Sequence, residues 1–182
     1  MEYKISENTI KNIEELQTSY FQLNKYWDRF MSVADTKFAM KNFVRLAHPR
    51  IAHAYFFASD LFGDILSKYN IPTIYDTVYR EDKDFTSVGE GLEGNLERNL
   101  MIVDLFNAAI EEAVKNGERQ VSAELDKLMR LHNQFVDQAY LLVDKYKSCR
   151  NDCLFDGFAE QYVLRLDEKV TQVSEGGAYA GS

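Results

Sequence analysis

Proline occurs only twice in this chain of 182 residues, cysteine twice and tryptophan once. So few prolines leave long stretches free to stay helical, and abundant Leu, Ala, Glu, Asp and Lys favour helix over sheet. Cys149 and Cys153, four apart near one end, make at most half a zinc ligand set and read as free thiols in a reducing compartment. No run approaches the roughly 20 apolar residues of a membrane span, and Met1-Glu2-Tyr3-Lys4 lacks the basic-then-apolar layout of a secretory signal. The expectation is a cytoplasmic protein without a membrane partner. Positive charge is scarce as well: 21 Lys and Arg stand against 29 Asp and Glu, a formal net charge of -8. A phosphate backbone would meet repulsion along the whole chain, which argues against nucleic acid as a partner. A phosphate loop is also missing, since Gly89-Glu90-Gly91 and Gly94 are followed by no Lys-Ser/Thr.

What is present is globular: 46% hydrophobic residues, 13% aromatic, enough chain for one core without staples. Residues 1–173 read as a single helical bundle. Residues 174–182, Ser-Glu-Gly-Gly-Ala-Tyr-Ala-Gly-Ser, read as a flexible tail.

Hydrophobic periodicity marks out the helices. From Ser6 to Met31, Ile10, Ile13, Leu16, Tyr20, Leu23, Trp27 and Phe30 recur at spacings of three and four, one apolar helix face. Residues 32–36 loosen the pattern. A second face runs from Phe43 to Tyr69 and is interrupted by Pro49, which either kinks the helix near Ala47 or sits in the first turn of a restarted one. Ser87-Val88-Gly89-Glu90 has the form of a capping box and opens a third helix. Its core face reads as Leu92, Leu96, Leu100, Val103, Asn107, Ile110 and Val114, with Asn116-Gly117 as a left-handed stop. The fourth helix carries the cleanest stripe, Leu125, Leu128, Met129, His132, Phe135, Val136, Ala139, Leu142, Val143 and Tyr146. Asn151-Asp152 caps a short fifth helix holding Leu154, Phe155, Phe158, Tyr162, Leu166 and Val170.

Between the second and third helices lie about seventeen residues of extended texture, from Asn70 to Thr86. Antiparallel neighbours need only about 2–8 linking residues. A connector of this length reaches about 55 Å, more than the roughly 40 Å of a 27-residue helix, and can cross the whole bundle. Two antiparallel helix pairs joined by one long crossover is the connectivity of ferritin-like bundles.

Asn70-Ile71-Pro72 after helix two, the extended connector, the restart at Ser87, Leu96-Glu97-Arg98-Asn99 in helix three and the short fifth helix together resemble bacterial non-haem ferritins in order and spacing, over roughly residues 8 to 168. Mini-ferritins of the starved-cell DNA-protecting type are the second resemblance, but they lack a C-terminal fifth helix. The family resemblance implies an all-α, ferritin-like four-helix bundle, ferrous iron oxidised inside each bundle, and a cage of many subunits. A di-iron centre takes a Glu from each of two helices and a Glu-x-x-His from each of the other two. This chain contains no Glu-x-x-His. Helix one reads Gln17-Thr18-Ser19-Tyr20 where the family has a glutamate, and helix two reads Ala52-His53-Ala54-Tyr55-Phe56-Phe57. The ligands that the resemblance leaves are Glu97, His53 and His132, enough for one divalent ion and thin for two irons.

Two functional readings follow. The first is a non-catalytic, self-assembling or partner-binding structural bundle that requires no cofactor. The second is a divergent iron-storage or iron-oxidising protein that uses Glu97, His53 and His132. Tyr55-Phe56-Phe57 spans too wide an arc for one buried face, so this region, or the fifth helix with Phe155 and Phe158, is expected to meet a second copy or another protein.

Overall fold

The computed structural model describes residues 4–149 and 151–178, with the backbone alone for 175–178. Helix α1 (Glu7–Thr36) begins where Ser6 accepts a hydrogen bond from the Thr9 amide at 3.2 Å. Its buried face includes Ile13, Leu16, Tyr20, Leu23, Trp27 and Phe30, as the periodicity requires. The helix does not loosen after Met31. Val33 and Ala34 are buried, and the last turn closes with Lys37 N–H on the Val33 carbonyl. Small residues there fit close packing, which a scale of apolar bulk reads as a break.

Pro49 neither breaks the second helix nor restarts it. Helix α2 (Lys41–Ala47) passes through a π-turn (His48–Ala52) directly into α3 (His53–Ser67). The wider i→i+5 turn accommodates a ring that would clash with the carbonyl four residues back in an α-helix. Asn24 on α1 donates to the Ala52 carbonyl at 3.0 Å, satisfying backbone at the end of that turn. Asn70 closes the helix in the left-handed region with φ 57, and Ile71 N–H reaches back to the Leu66 carbonyl at 3.1 Å.

The connector then runs beside α1 in the same direction. Ile74 N–H donates to Glu14 at 3.0 Å, Tyr79 N–H to Gln22 at 2.8 Å, Arg29 to the Lys83 carbonyl at 3.0 Å and Lys37 to the Phe85 carbonyl at 2.9 Å. From Glu14 to Lys37 the helix rises roughly 35 Å, and the stretch from Ile74 to Phe85 spans about the same when extended. The crossover therefore covers the length of the bundle. Phe85 anchors its end, fully buried against the rings of Tyr26 and Phe30.

Helix α4 (Val88–Lys115) starts on Ser87, whose Oγ accepts from Glu90 N–H at 3.1 Å. The expected reciprocal bond lands one residue earlier. The Glu90 carboxylate accepts from the amide and hydroxyl of Thr86, both at 2.8 Å, and pairs with Lys83 at 3.0 Å. These partners hold its carboxyl down at about 2, the Thr86 amide being the largest cause. Gly117, at φ 73, turns the chain into α5 (Arg119–Cys149). The α1–α3 and α4–α5 pairs pack together through α1 and α4, the two-pair arrangement of a ferritin-like bundle.

The single fifth helix expected after Asn151 is two pieces, α6 (Asp152–Gly157) and α7 (Leu166–Ala178), with a 3-10 turn at Ala159–Gln161. Asn151 caps α6 through the amides of Cys153 and Leu154. The break follows from Gln138 of α5, a buried amide that donates to the Tyr162 carbonyl at 2.9 Å and accepts from Leu164 N–H at 2.7 Å. That pair of hydrogen bonds holds the chain out of helix between the 3-10 turn and Leu166. Helix α7 packs on α3, α5 and the π-turn, and runs past Ser174, the start of the tail expected from sequence. Residues 179–182 lie outside the described residues.

Gly91 lets the Phe30 ring lie close against the α4 backbone, because a Cβ there would overlap that ring. Gly91→Ala is expected to cost about 2 kcal/mol or more through overpacking. Gly157→Ala, with nothing within 4 Å of an added Cβ, is expected to stay within about 0.5 kcal/mol. Urea unfolding of the two variants checks both.

Candidate functional site

One inward side chain from each long helix meets at the centre of the bundle: Tyr20 of α1, Tyr55 of α3, Asn99 of α4 and His132 of α5, each at most 1% exposed. Tyr20 O–H lies 2.7 Å from His132 Nδ1, and His132 Nε2 lies 2.9 Å from the Asn99 carbonyl. A carbonyl can only accept, so Nε2 carries the hydrogen and Nδ1 accepts from Tyr20. Tyr55 O–H donates to Asn99 Oδ1 at 3.0 Å. Asn99 Nδ2 donates to the carbonyl and Oδ1 of Asn95, both at 2.9 Å, and Trp27 Nε1 donates to the same Oδ1 at 2.7 Å. The rings of Phe62, Phe106 and Phe135 wall this chain off from water.

Every group in the chain is neutral. Burial pushes the Tyr20 and Tyr55 phenols well above their usual range, so both keep their protons. Burial also lowers the His132 imidazole to about 4, against a smaller opposing effect of its bond to the Asn99 carbonyl.

Of the three ligands expected from sequence, only His132 is here. Glu97 is exposed: it stands midway between Asn95 and Asn99, which share the inward face at i, i+4, and so points about 160° away from them. The face of α4 expected from apolar spacing is displaced for the same reason. Its buried residues are Val88, Gly91, Leu92, Asn95, Asn99, Ile102, Phe106, Ala109 and Ala113, while Leu100 and Val114 face outward. His53 is exposed beside His48, two residues from the inward Tyr55. Glu97, His53 and His132 therefore do not converge, and among the described residues no three His, Cys, Asp or Glu side chains come together as a metal ion would need. Sequence reasoning missed Tyr20, Tyr55, Asn95 and Asn99. The available signal was the pair of amides at i, i+4 inside an otherwise helical stripe.

The centre does not fit iron. A di-iron site needs carboxylates to offset the cations, and these positions hold two phenols, an amide and an imidazole with both nitrogens engaged. Cys149 and Cys153 are both free, at the far end of α5 and the start of α6.

His132 sets a pH dependence of stability. Its folded value of about 4 lies below the 6.5 of a free imidazole, so between these limits the unfolded chain binds more protons and stability falls as pH falls. The loss should reach on the order of 3 kcal/mol and level off below about pH 4. Urea denaturation at pH 7, 6, 5 and 4 measures it, and His132→Gln should remove most of the slope between pH 6.5 and 5.

No family model matches the chain, and no curated protein matches it significantly. Solved structures do. A closed form of the Archaeoglobus fulgidus ferritin made by site-directed mutagenesis superposes with a TM-score of 0.80 at 13% identity, covering 89% of this chain and 98% of the other. The open pore ferritin of the same archaeon superposes at 0.80 and 14% identity, covering 88% and 98%. At this identity the likeness shows the fold, which is ferritin-like.

Proposed function

We propose that this ferritin-like bundle is a non-catalytic structural module that assembles with copies of itself. The observation that carries the reading is the neutral centre, where each inward group already has its hydrogen-bond partner. A redox pair of cations would have to displace those bonds and would find no carboxylate in their place.

Self-association is supported by the outer surface. Rings pass from Tyr75 to Phe21, Phe56 and Phe57 with centroid separations of 6.2, 5.9 and 5.8 Å. Phe56, Phe57 and Tyr75 are 45%, 52% and 68% exposed, a continuous aromatic strip of the kind that marks a contact surface. Tyr55 turns inward, so the wide arc of Tyr55-Phe56-Phe57 divides between core and surface. Phe155 is fully buried, which leaves Leu154 on α6 and Phe158 just past its end as a smaller patch.

The open arc of α1 also has the pattern of a two-fold contact. Lys11 and Asp28, Glu14 and Lys25, Thr18 and Phe21 lie at equal distances from the midpoint between Ser19 and Tyr20. Two copies of α1 crossing antiparallel about that midpoint set each acid opposite a base, with Phe21 at the centre. A second copy is therefore the occupant whose charges fit.

Light scattering is expected to report a dimer or larger at micromolar concentration. Lys25→Glu should weaken the association about tenfold, and adding Glu14→Lys should recover it, as a charge swap across a two-fold demands. A wild-type monomer at these concentrations would overturn the reading.

Iron oxidation is the second reading, favoured by likeness of fold alone. Stopped-flow absorbance after mixing aerobic protein with ferrous iron should match buffer. Rapid, saturable oxidation at about two irons per chain would move iron storage to first place.

A further inference from the structure

Helix α2 and helix α3 join through a π-turn, and this turn places two imidazoles together. In an α-helix residues five apart point about 140° away from each other. Where the chain closes an i→i+5 bond they stand one above the other. His53 N–H makes that bond to the His48 carbonyl, and the two rings lie with centroids 4.5 Å apart, inclined at 64°. His53 is exposed and His48 partly so.

We propose that His48 and His53 form a clamp for one divalent transition metal of borderline softness, copper(II), nickel(II) or zinc(II), on the outer surface of the bundle. Imidazole nitrogens bind such a metal at about 2.0–2.1 Å, and with each ring centre about 1 Å further out, two adjacent ligands place their centroids about 4.5–5 Å apart. The observed 4.5 Å separation is already in that range. The clamp also has a tautomer-setting partner. Asp28 Oδ1 lies 3.2 Å from His48 Nε2, so the hydrogen of neutral His48 sits on Nε2 and the lone pair on Nδ1 is left for a metal. The carboxylate supplies negative charge beside the site, and water fills the remaining positions. With two protein donors and a carboxylate behind one of them, the clamp differs from the three-ligand cluster expected at the centre, and it takes up only His53 of that set. Magnesium and calcium, which require oxygen ligands, are excluded by the donor type.

The chain has three histidines, and the third, His132, is fully buried with both nitrogens engaged. Within one chain, a two-imidazole signature must therefore come from His48 and His53. Titration of the untagged protein with copper(II) and nickel(II) chloride, followed by calorimetry and by copper electron paramagnetic resonance, tests the proposal. The expected result is one site per chain, nitrogen splitting from two imidazoles, and no heat with magnesium. His53→Asn and His48→Asn should each weaken binding at least tenfold, Asp28→Asn by roughly tenfold, and His132→Gln not at all. Far-ultraviolet circular dichroism confirms that the surface variants remain helical. Copper binding unchanged in His53→Asn, or a resonance spectrum with sulfur or a single nitrogen, would overturn it. Both outcomes are read at the imidazole nitrogens and do not depend on whether the protein oxidises iron.

Discussion

Asn99 holds partners from two other helices at once, and the packing of the bundle depends on it. Tyr55 of α3 donates to its side-chain oxygen, His132 of α5 donates to its backbone carbonyl, and its own amide group reaches Asn95 one turn back, where Trp27 of α1 also arrives. Each bond is worth only about 1 kcal/mol net, but a buried donor or acceptor left alone costs about 1–3 kcal/mol. The rotation of each helix about its axis is therefore set by hydrogen bonds as well as by ridges and grooves. An apolar core tolerates a sliding helix better than this network does.

The neutrality of the network changes how the fold relates to metal. Carboxylates gathered at a bundle centre repel one another unless cations offset them, so a site made of them couples folding to binding. Phenol, amide, indole and imidazole carry no such debt. The centre here is satisfied by its own members and is walled by phenylalanine rings, so the bundle can fold without an ion. Meanwhile the crossover constrains α1 from outside. With α3 and α4 packed on its inner side and the connector tied along one flank from Glu14 to Lys37, α1 keeps a narrow outer strip around Thr18 and Phe21, and Glu14 and Lys25 at its edge already bond to the connector.

Most of the fold could be read from the sequence because its long helices obey a 3.6-residue apolar period and their ends carry explicit signals: Ser6, Ser87, Asn116-Gly117 and Asn151 all act at helix ends as their residue types predict. The length of the connector fixed the crossover. Reading failed where polarity and burial part company. Asn95 and Asn99 sit in the core of α4 while Leu100 and Met101 face outward, so a stripe drawn through the apolar residues is rotated, and Glu97, expected inside from the family resemblance, points out. Gln138 likewise breaks the fifth helix from a neighbouring element, which no local pattern along 151–170 encodes. Of the centre, His132 alone was recognised as special, because a histidine on an apolar stripe stands out and a tyrosine or an asparagine does not.

The three histidines show why residue type alone does not assign a ligand. His132 and His53 have the same imidazole, and the sequence placed them in one cluster, yet their nitrogens meet different demands. In His132 the Tyr20 hydroxyl occupies the lone pair and the Asn99 carbonyl takes the hydrogen, so the ring acts as a hydrogen-bond bridge between α1, α4 and α5. Burial that pushes it to about 4 keeps it in that neutral form. At the π-turn, Asp28 engages only one nitrogen of His48, and His53 is exposed to solvent against the rings of His48 and Phe57. Availability of the lone pair, more than the presence of histidine, decides where a metal can go, and the widened turn at Pro49 is what brings two imidazole rings side by side.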